Sequence, residues 1–176
     1  MKKYLLILIT LFVAGYLASK VQSSWGKVRV QSIKIPTQNG QWLVADLFKP
    51  VSANASSPSP LVIVVPGFQR SKETLSNISI ELSRRGIVTI AIDPYAQGLS
   101  SSSFIKRAAT KEGYGMFALV DYVYDTSILN YVDKDKIGVT GHSAGGLAAM
   151  RAAQHFGKLA KKNNTKSNFS FKSLKI

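Results

Sequence analysis

The chain has 176 residues, with 23 Lys and Arg against 9 Asp and Glu, a formal net charge of +14, 45% apolar residues and no cysteine. That is globular composition at the length of about one domain. The missing cysteines exclude a disulfide scaffold, a thiolate metal site, a cysteine nucleophile and a lipid-modified cysteine, and two histidines leave no three-histidine metal centre.

The first segment is a leader. Tyr4 to Ser19, YLLILITLFVAGYLAS, carries no charge between Lys2-Lys3 and Lys20, a basic region followed by an apolar one. As a helix these residues cover ~24 Å, a little short of a ~30 Å hydrocarbon core. Residues 1–20 are therefore expected to be a membrane anchor or a signal peptide, with the anchor favoured; Val13-Ala14-Gly15 and Leu17-Ala18-Ser19 supply small residues for cleavage. A core helix at the extreme N-terminus is the third reading and the weakest. Either export reading places the body outside the cytoplasmic membrane, anchored or secreted.

Residues 21–157 form the predicted domain. Lys27–Ile35 alternates apolar residues imperfectly, Gln38-Asn39-Gly40-Gln41 reads as a turn, and Trp42–Phe48 continues as a second strand. Asn-Gly between two such runs is a strong hairpin signal, because both turn positions need positive φ. A Pro/Ser-rich connector, Val51–Pro60, leads into LVIVV at Leu61–Val65 and then Pro66-Gly67. A wholly apolar run suits a strand buried on both faces. Leu75, Ile78 and Leu82 are expected on one helical face, with Gly86 at the C-cap. IVTIAI (Ile87–Ile92) is the next buried strand, ended by Asp93-Pro94.

A Gly/Ser-rich loop then runs to about Lys111, and Pro94–Gly115, with Tyr95, Phe104 and Tyr114, is expected to line the rim of a pocket. A second helix is predicted over Tyr114–Asn130, with Phe117, Val120, Val123 and Tyr124 on its apolar side. Asp133 and Asp135 are expected in a turn before a third parallel-type strand, KIGVT at Lys136–Thr140. Strand and helix alternating at this spacing give a parallel α/β sheet with right-handed crossovers.

From Lys158 onward the chain reads KLAKKNNTKSNFSFKSLKI, with six Lys and no acid, and is expected to be a solvated basic tail over residues 158–176. Without leader and tail the body has 14 basic and 9 acidic residues, a net +5. With no recognition motif and scattered charges, nucleic acid is not an expected partner. No metal site and no cofactor are implied.

Directly after KIGVT comes Gly141-His142-Ser143-Ala144-Gly145-Gly146 and then the helix-forming run LAAMRAAQHF. This is G-x-S-x-G between a strand and a helix, the setting that gives the motif its meaning. The turn requires small residues two before and two after the serine, which lifts Oγ above the end of the sheet. The helix N-terminus favours developing negative charge, and the Ala144 N–H points at the oxyanion. The second donor is expected from Val65-Pro66-Gly67-Phe68-Gln69, where Gly67 permits close approach and the Phe68 N–H is the candidate.

These residues resemble the N-terminal part of an α/β-hydrolase, over about Val28 to Gly157. The VVPGFQ loop, the AIDPYAQGLSS segment and the YVDKDKIGVTGHSAGG block carry the likeness. The last block is similar to the dienelactone-hydrolase-like and the polyester-hydrolase or cutinase-like branches. The resemblance implies a mostly parallel sheet with an N-terminal antiparallel hairpin and a serine hydrolase of small-molecule esters or related acyl compounds. Ser143 would be the nucleophile, the Phe68 and Ala144 N–H groups the oxyanion hole, and Gly141, His142 and Gly145 the structural elbow, with an acyl-enzyme intermediate.

The pattern then breaks. In this fold the acid and the histidine follow the serine, yet none of the 33 residues after Ser143 is Asp or Glu. A further βαβ unit takes about 30 residues, so the C-terminal strands of the fold are expected to be missing and the tail foreign to the family, as in a truncated or frameshifted product. His155 lies 12 residues along the helix, ~18 Å from the elbow, beyond the ~3 Å reach of a general base. His142 is expected as a packed polar residue under the oxyanion loop, Asp93 as a turn opener and Asp121 as an exposed helix position. The resulting expectation is an impaired serine hydrolase, with a non-catalytic hydrolase fragment as the alternative.

Overall fold

The computed structural model describes residues 2–37, 40–102 and 113–164, with side chains described to Lys158 apart from Gln22. Gln38, Asn39, Phe104 and the tail beyond Asn164 lie outside the described residues. Helix α1 spans Lys2–Gln22. The strands are β1 (Val28–Pro36), β2 (Trp42–Pro50), β3 (Ser59–Val65), β4 (Val88–Ile92) and β5 (Val132–Gly141). Between them run a 3-10 turn at Lys72–Leu75, α2 (Ser76–Arg84) and α3 (Met116–Asp125), and α4 (Ala144–Asn164) follows β5.

One five-stranded sheet has the order β1-β2-β4-β3-β5. β1 and β2 form the expected antiparallel hairpin, with Val28 opposite Pro50 and Pro36 opposite Trp42. Gly40 at φ 72° and the Thr37 N–H on the Gln41 carbonyl belong to its turn. β2 meets β4 antiparallel, while β4–β3 and β3–β5 are parallel. The fold is thus a mixed α/β sheet with the N-terminal antiparallel hairpin that the resemblance implies, and β5 lies at one edge of the described sheet.

Burial follows the period-2 alternation of strands. Leu61, Ile63, Val65, Ile90, Ile92, Ile137 and Val139 join Met116, Leu119, Val120, Val123, Ala149, Ala152 and Phe156 in the core under α3 and α4. Val64, Ala91, Val28 and Phe48 face the other way and pack with Leu75, Ile80 and Leu82 around α2. All five residues of β4 are buried.

Several boundaries differ from expectation. Ile78 is exposed, and α2 turns Ser79 and Ser83 inward instead. Ser83 Oγ donates to the Phe48 carbonyl at 3.2 Å, so a hydroxyl serves where strand and helix approach too closely for a larger side chain. α3 ends at Asp125 rather than Asn130, because Thr126 is extended (φ −78°, ψ 140°) and its Oγ1 accepts the Ile128 N–H, a local bond that competes with helix. Asp133 and Asp135 lie within β5, where the ladder passes from Ser59–Val132 to Leu61–Ile137. The residues between form the irregularity that sequence reads as a turn. The basic tail is helical as far as Asn164, since Lys, Leu and Ala are good helix formers.

Ile90 is fully buried at the middle of the sheet. Ile90→Ala should cost about 2–5 kcal/mol, measured as a lowered urea midpoint with unchanged m.

Candidate active site

The carboxyl ends of β3, β4 and β5 converge on one end of the sheet, and the loops leaving them build the site. Ser143 sits at φ 53°, in the left-handed region that a residue with a Cβ rarely adopts. The strained turn is fixed from both sides by backbone. The His142 N–H donates to the Val65 carbonyl at 3.2 Å, the Gly145 N–H to His142 O at 2.9 Å and the Leu147 N–H to Ser143 O at 3.1 Å. A Cβ on Gly145 would lie 2.1 Å from the Val65 oxygen, and one on Gly141 would lie 2.4 Å from the Gly145 carbonyl carbon. No side chain fits at either position.

The β3 loop meets this turn at Gly67. A Cβ there would stand 3.3 Å from His142 Nδ1 and 3.4 Å from Ser143 Cβ, so the loop passes close to the serine. Ser143 and Phe68 are both exposed. Neither the Phe68 nor the Ala144 N–H has a backbone partner among the described residues, and Ala144 opens α4, whose first N–H groups have no intrahelical acceptor. A helix N-terminus with unpaired N–H groups favours negative charge near it.

The remaining predicted residues fall as follows. His142 borders Gly67 but is exposed, not packed beneath the loop, because the turn carries its ring out with the serine. His155 stacks on Phe117, ring centroids 4.5 Å apart, and meets Phe156 edge-on, so it belongs to the α3–α4 contact. Asp121 is exposed as expected; partial burial, then the Asp125 charge, raise its pKa, with His155 opposing. Tyr95 is buried, its hydroxyl 2.7 Å from Thr37 Oγ1, and is a core residue rather than a rim residue.

Asp93 does more than open a turn. It is buried, with Oδ1 accepting the Lys72 N–H at 2.7 Å and Oδ2 the Leu99 N–H at 2.9 Å. Gly98 lies so close that a Cβ would stand 2.2 Å from the Asp93 carboxyl carbon. One carboxylate therefore ties the segment after the β3 loop to the loop after β4. Beside it, buried Lys72 pairs with Asp46 at 3.4 Å and with Glu73. Burial opposes the Lys72 ammonium, but the hydrogen bond to Glu73 and the charges of Asp46, Glu73 and Asp93 outweigh it and raise its pKa. Hydrogen bonds from Lys72 and then Ser71 lower the exposed Glu73 carboxyl to about 2. Sequence reasoning missed this cluster; its only signal was an Asp at the end of a buried strand followed by Gly98.

A sharp strand–turn–helix serine facing a Gly-containing loop across the ends of parallel strands defines an α/β-hydrolase. The comparisons agree. The PET hydrolase-like family model matches residues 15–170. No curated protein gives a significant match. Among solved structures, the chain is similar to Est1E of Butyrivibrio proteoclasticus, determined with ferulic acid bound (28% identity, TM-score 0.60, 72% of this chain and 48% of that one). It is also similar to a Pyrobaculum calidifontis esterase (25%, TM-score 0.57, 77% and 41%). An esterase of Pyrococcus furiosus shares the fold (22%, TM-score 0.60, 77% and 46%). The chain spans less than half the length of these structures. It belongs to the PET hydrolase-like family of α/β-hydrolases.

Asp93→Ala should leave the Lys72 and Leu99 N–H groups without their acceptor and cost about 2–4 kcal/mol, read as a drop in the urea midpoint. Glu73 titrates near 4.5 when unfolded and at about 2 when folded. Its contribution is present above 4.5 and lost as pH falls towards 2, so urea midpoints should decline over that range, less steeply in Glu73→Gln.

Proposed function

We propose that this chain carries the nucleophile and oxyanion half of an exported serine ester hydrolase. The close approach of the Gly67 loop to Ser143, itself held at φ 53°, is the observation that carries the reading. Ser143 Oγ would attack the ester carbonyl, and the carbonyl oxygen, gaining negative charge, would be held by the Phe68 and Ala144 N–H groups. The alcohol then leaves, the acyl group stays on Oγ, and water releases it as the carboxylic acid. Gly141, His142 and Gly145 shape the turn. The family name and the ferulic acid bound to Est1E favour esters of aromatic acids within that class. Export rests on α1, where Lys2–Val21 has a mean hydropathy of 1.9 and no buried residue, as a signal peptide or a membrane anchor.

Within this sequence no carboxylate follows Ser143, and His155 is engaged with Phe117. We infer that the polypeptide by itself reacts slowly, from the oxyanion donors and the helix N-terminus rather than from a complete triad. Removing triad members leaves about 10³–10⁴-fold over water in a folded enzyme. The second reading, a hydrolase fold without catalysis, draws on the same missing groups.

A fluorophosphonate probe and p-nitrophenyl esters separate the two. Slow labelling and weak turnover by the full chain, both abolished in Ser143→Ala, are the expected result; a Ser143→Ala variant indistinguishable from the parent would leave only the non-catalytic reading.

A further inference from the structure

The anchor and the elbow stand at opposite ends of the sheet. β3, β4 and β5 are parallel and end at Val65, Ile92 and Gly141, beside Ser143. β1 is antiparallel to β2, and β2 to β4, so β1 runs with β4 and begins at the end remote from Ser143. α1 joins the domain at that remote end. The length of β3, seven residues, separates the two ends by ~20 Å at ~3.3 Å per residue.

The junction has little slack. Only Ser23–Lys27 separates α1 from β1, and the turn is hydrogen-bonded throughout. The Trp25 N–H donates to Lys20 O at 2.7 Å and the Val28 N–H to Ser23 O at 3.0 Å. Arg84, at the end of α2, donates from Nη2 to the Val21 carbonyl at 2.6 Å, tying the last turn of α1 to the body.

The same end carries the side chains that settle at a bilayer surface. Trp25 is 67% exposed, and around it stand Lys20, Lys27, Arg84 and Arg85, with Glu81 bridging the two arginines at 3.4 and 3.2 Å. In the corner formed by the α1–β1 turn and the end of α2, four cations against one carboxylate leave a positive collar; Asp133 and Asp135, with Lys134 and Lys136, stand at the opposite edge of the sheet. Indole rings favour the headgroup level, and basic residues beside a membrane helix favour anionic lipid. α1 is 21 residues long, ~30 Å in all, with its uncharged ~24 Å between lysines that would sit at the two headgroup levels.

We propose that this end of the domain seats on an anionic bilayer surface through Trp25 and the basic collar, so that Ser143 opens away from the membrane. The proposal rests on the reading of α1 as a retained anchor and of Ser143 as an esterase nucleophile. It narrows the substrate class: the elbow meets acyl compounds arriving from the aqueous side, not the acyl chains of the bilayer that holds it.

The absence of cysteine makes the test direct. Val51 is exposed and its N–H bonds to the Lys27 carbonyl at the collar end; Leu99 is exposed beside Asp93 at the elbow end. Full-length Val51→Cys and Leu99→Cys, each carrying a fluorophore, are reconstituted in vesicles of phosphatidylcholine with a minority of phosphatidylglycerol and a headgroup-attached quencher. Co-flotation with the vesicles and quenching several-fold stronger at position 51 than at 99 are expected. Flotation with equal quenching at both sites, or with none at either, overturns the orientation while leaving the anchor intact. Failure to float overturns the anchor and the orientation together, and the labelling of Ser143 by fluorophosphonate, measured separately, is unaffected by either result.

Discussion

Everything at the Ser143 end of the sheet depends on one backbone contact, the approach of the turn after β5 to the end of β3. The Val65 carbonyl accepts the His142 N–H and lies where a Cβ of Gly145 would have to be. Because two main chains touch there, the serine between them has no freedom to relax from its left-handed conformation, and Gly67 on the outgoing β3 loop is brought against it. A single side chain at Gly141 or Gly145 would separate the strand ends. The position of the hydroxyl, the donors around it and the start of α4 then follow from the sheet rather than from side-chain choice.

The strain is concentrated at that end and offset elsewhere. Of the six non-glycine residues with positive φ among the described residues, four (Gln69, Ala96, Tyr114 and Ser143) lie in the loops at the carboxyl ends of the parallel strands. Such conformations cost on the order of 1–3 kcal/mol each and persist only when their surroundings over-determine them. A completely buried β4 and the Asp93 carboxylate, gripping one N–H from the segment before α2 and one from the loop after β4, provide that determination. Asp93 is thus to the loops what Gly145 is to the turn, a residue whose chemistry holds two segments at a fixed distance.

Much of this was legible in the sequence, and what was not has a physical reason. LVIVV, IVTIAI and KIGVT announce strands because their apolar runs are short and bounded by Gly, Pro or Asp, and the elbow is legible because its glycines are forced by sterics. Ile78 misleads because α2 approaches the sheet through Ser79 and Ser83, whose hydroxyls find acceptors, so the buried stripe is rotated from the apolar one. The early end of α3 depends on a Thr126 side-chain bond that a periodicity cannot see. Lys72 carries no signal in the sequence, since only the folded arrangement places Asp46 from β2 and Glu73 beside its ammonium.

The topology also decides what an anchor at the N-terminus means. In a sheet where the first strand ran against the parallel ones, a helix leading into it would emerge beside Ser143 and press that end against the surface it is anchored to. Here the first hairpin contributes two reversals before β4, Val28 pairing with Pro50 and Phe48 with Thr89, and two reversals restore the original direction. The helix therefore enters at the amino ends of the parallel strands, while Ser143 lies at their carboxyl ends. The hairpin, peripheral to the parallel core, is the element that sets which way Ser143 faces.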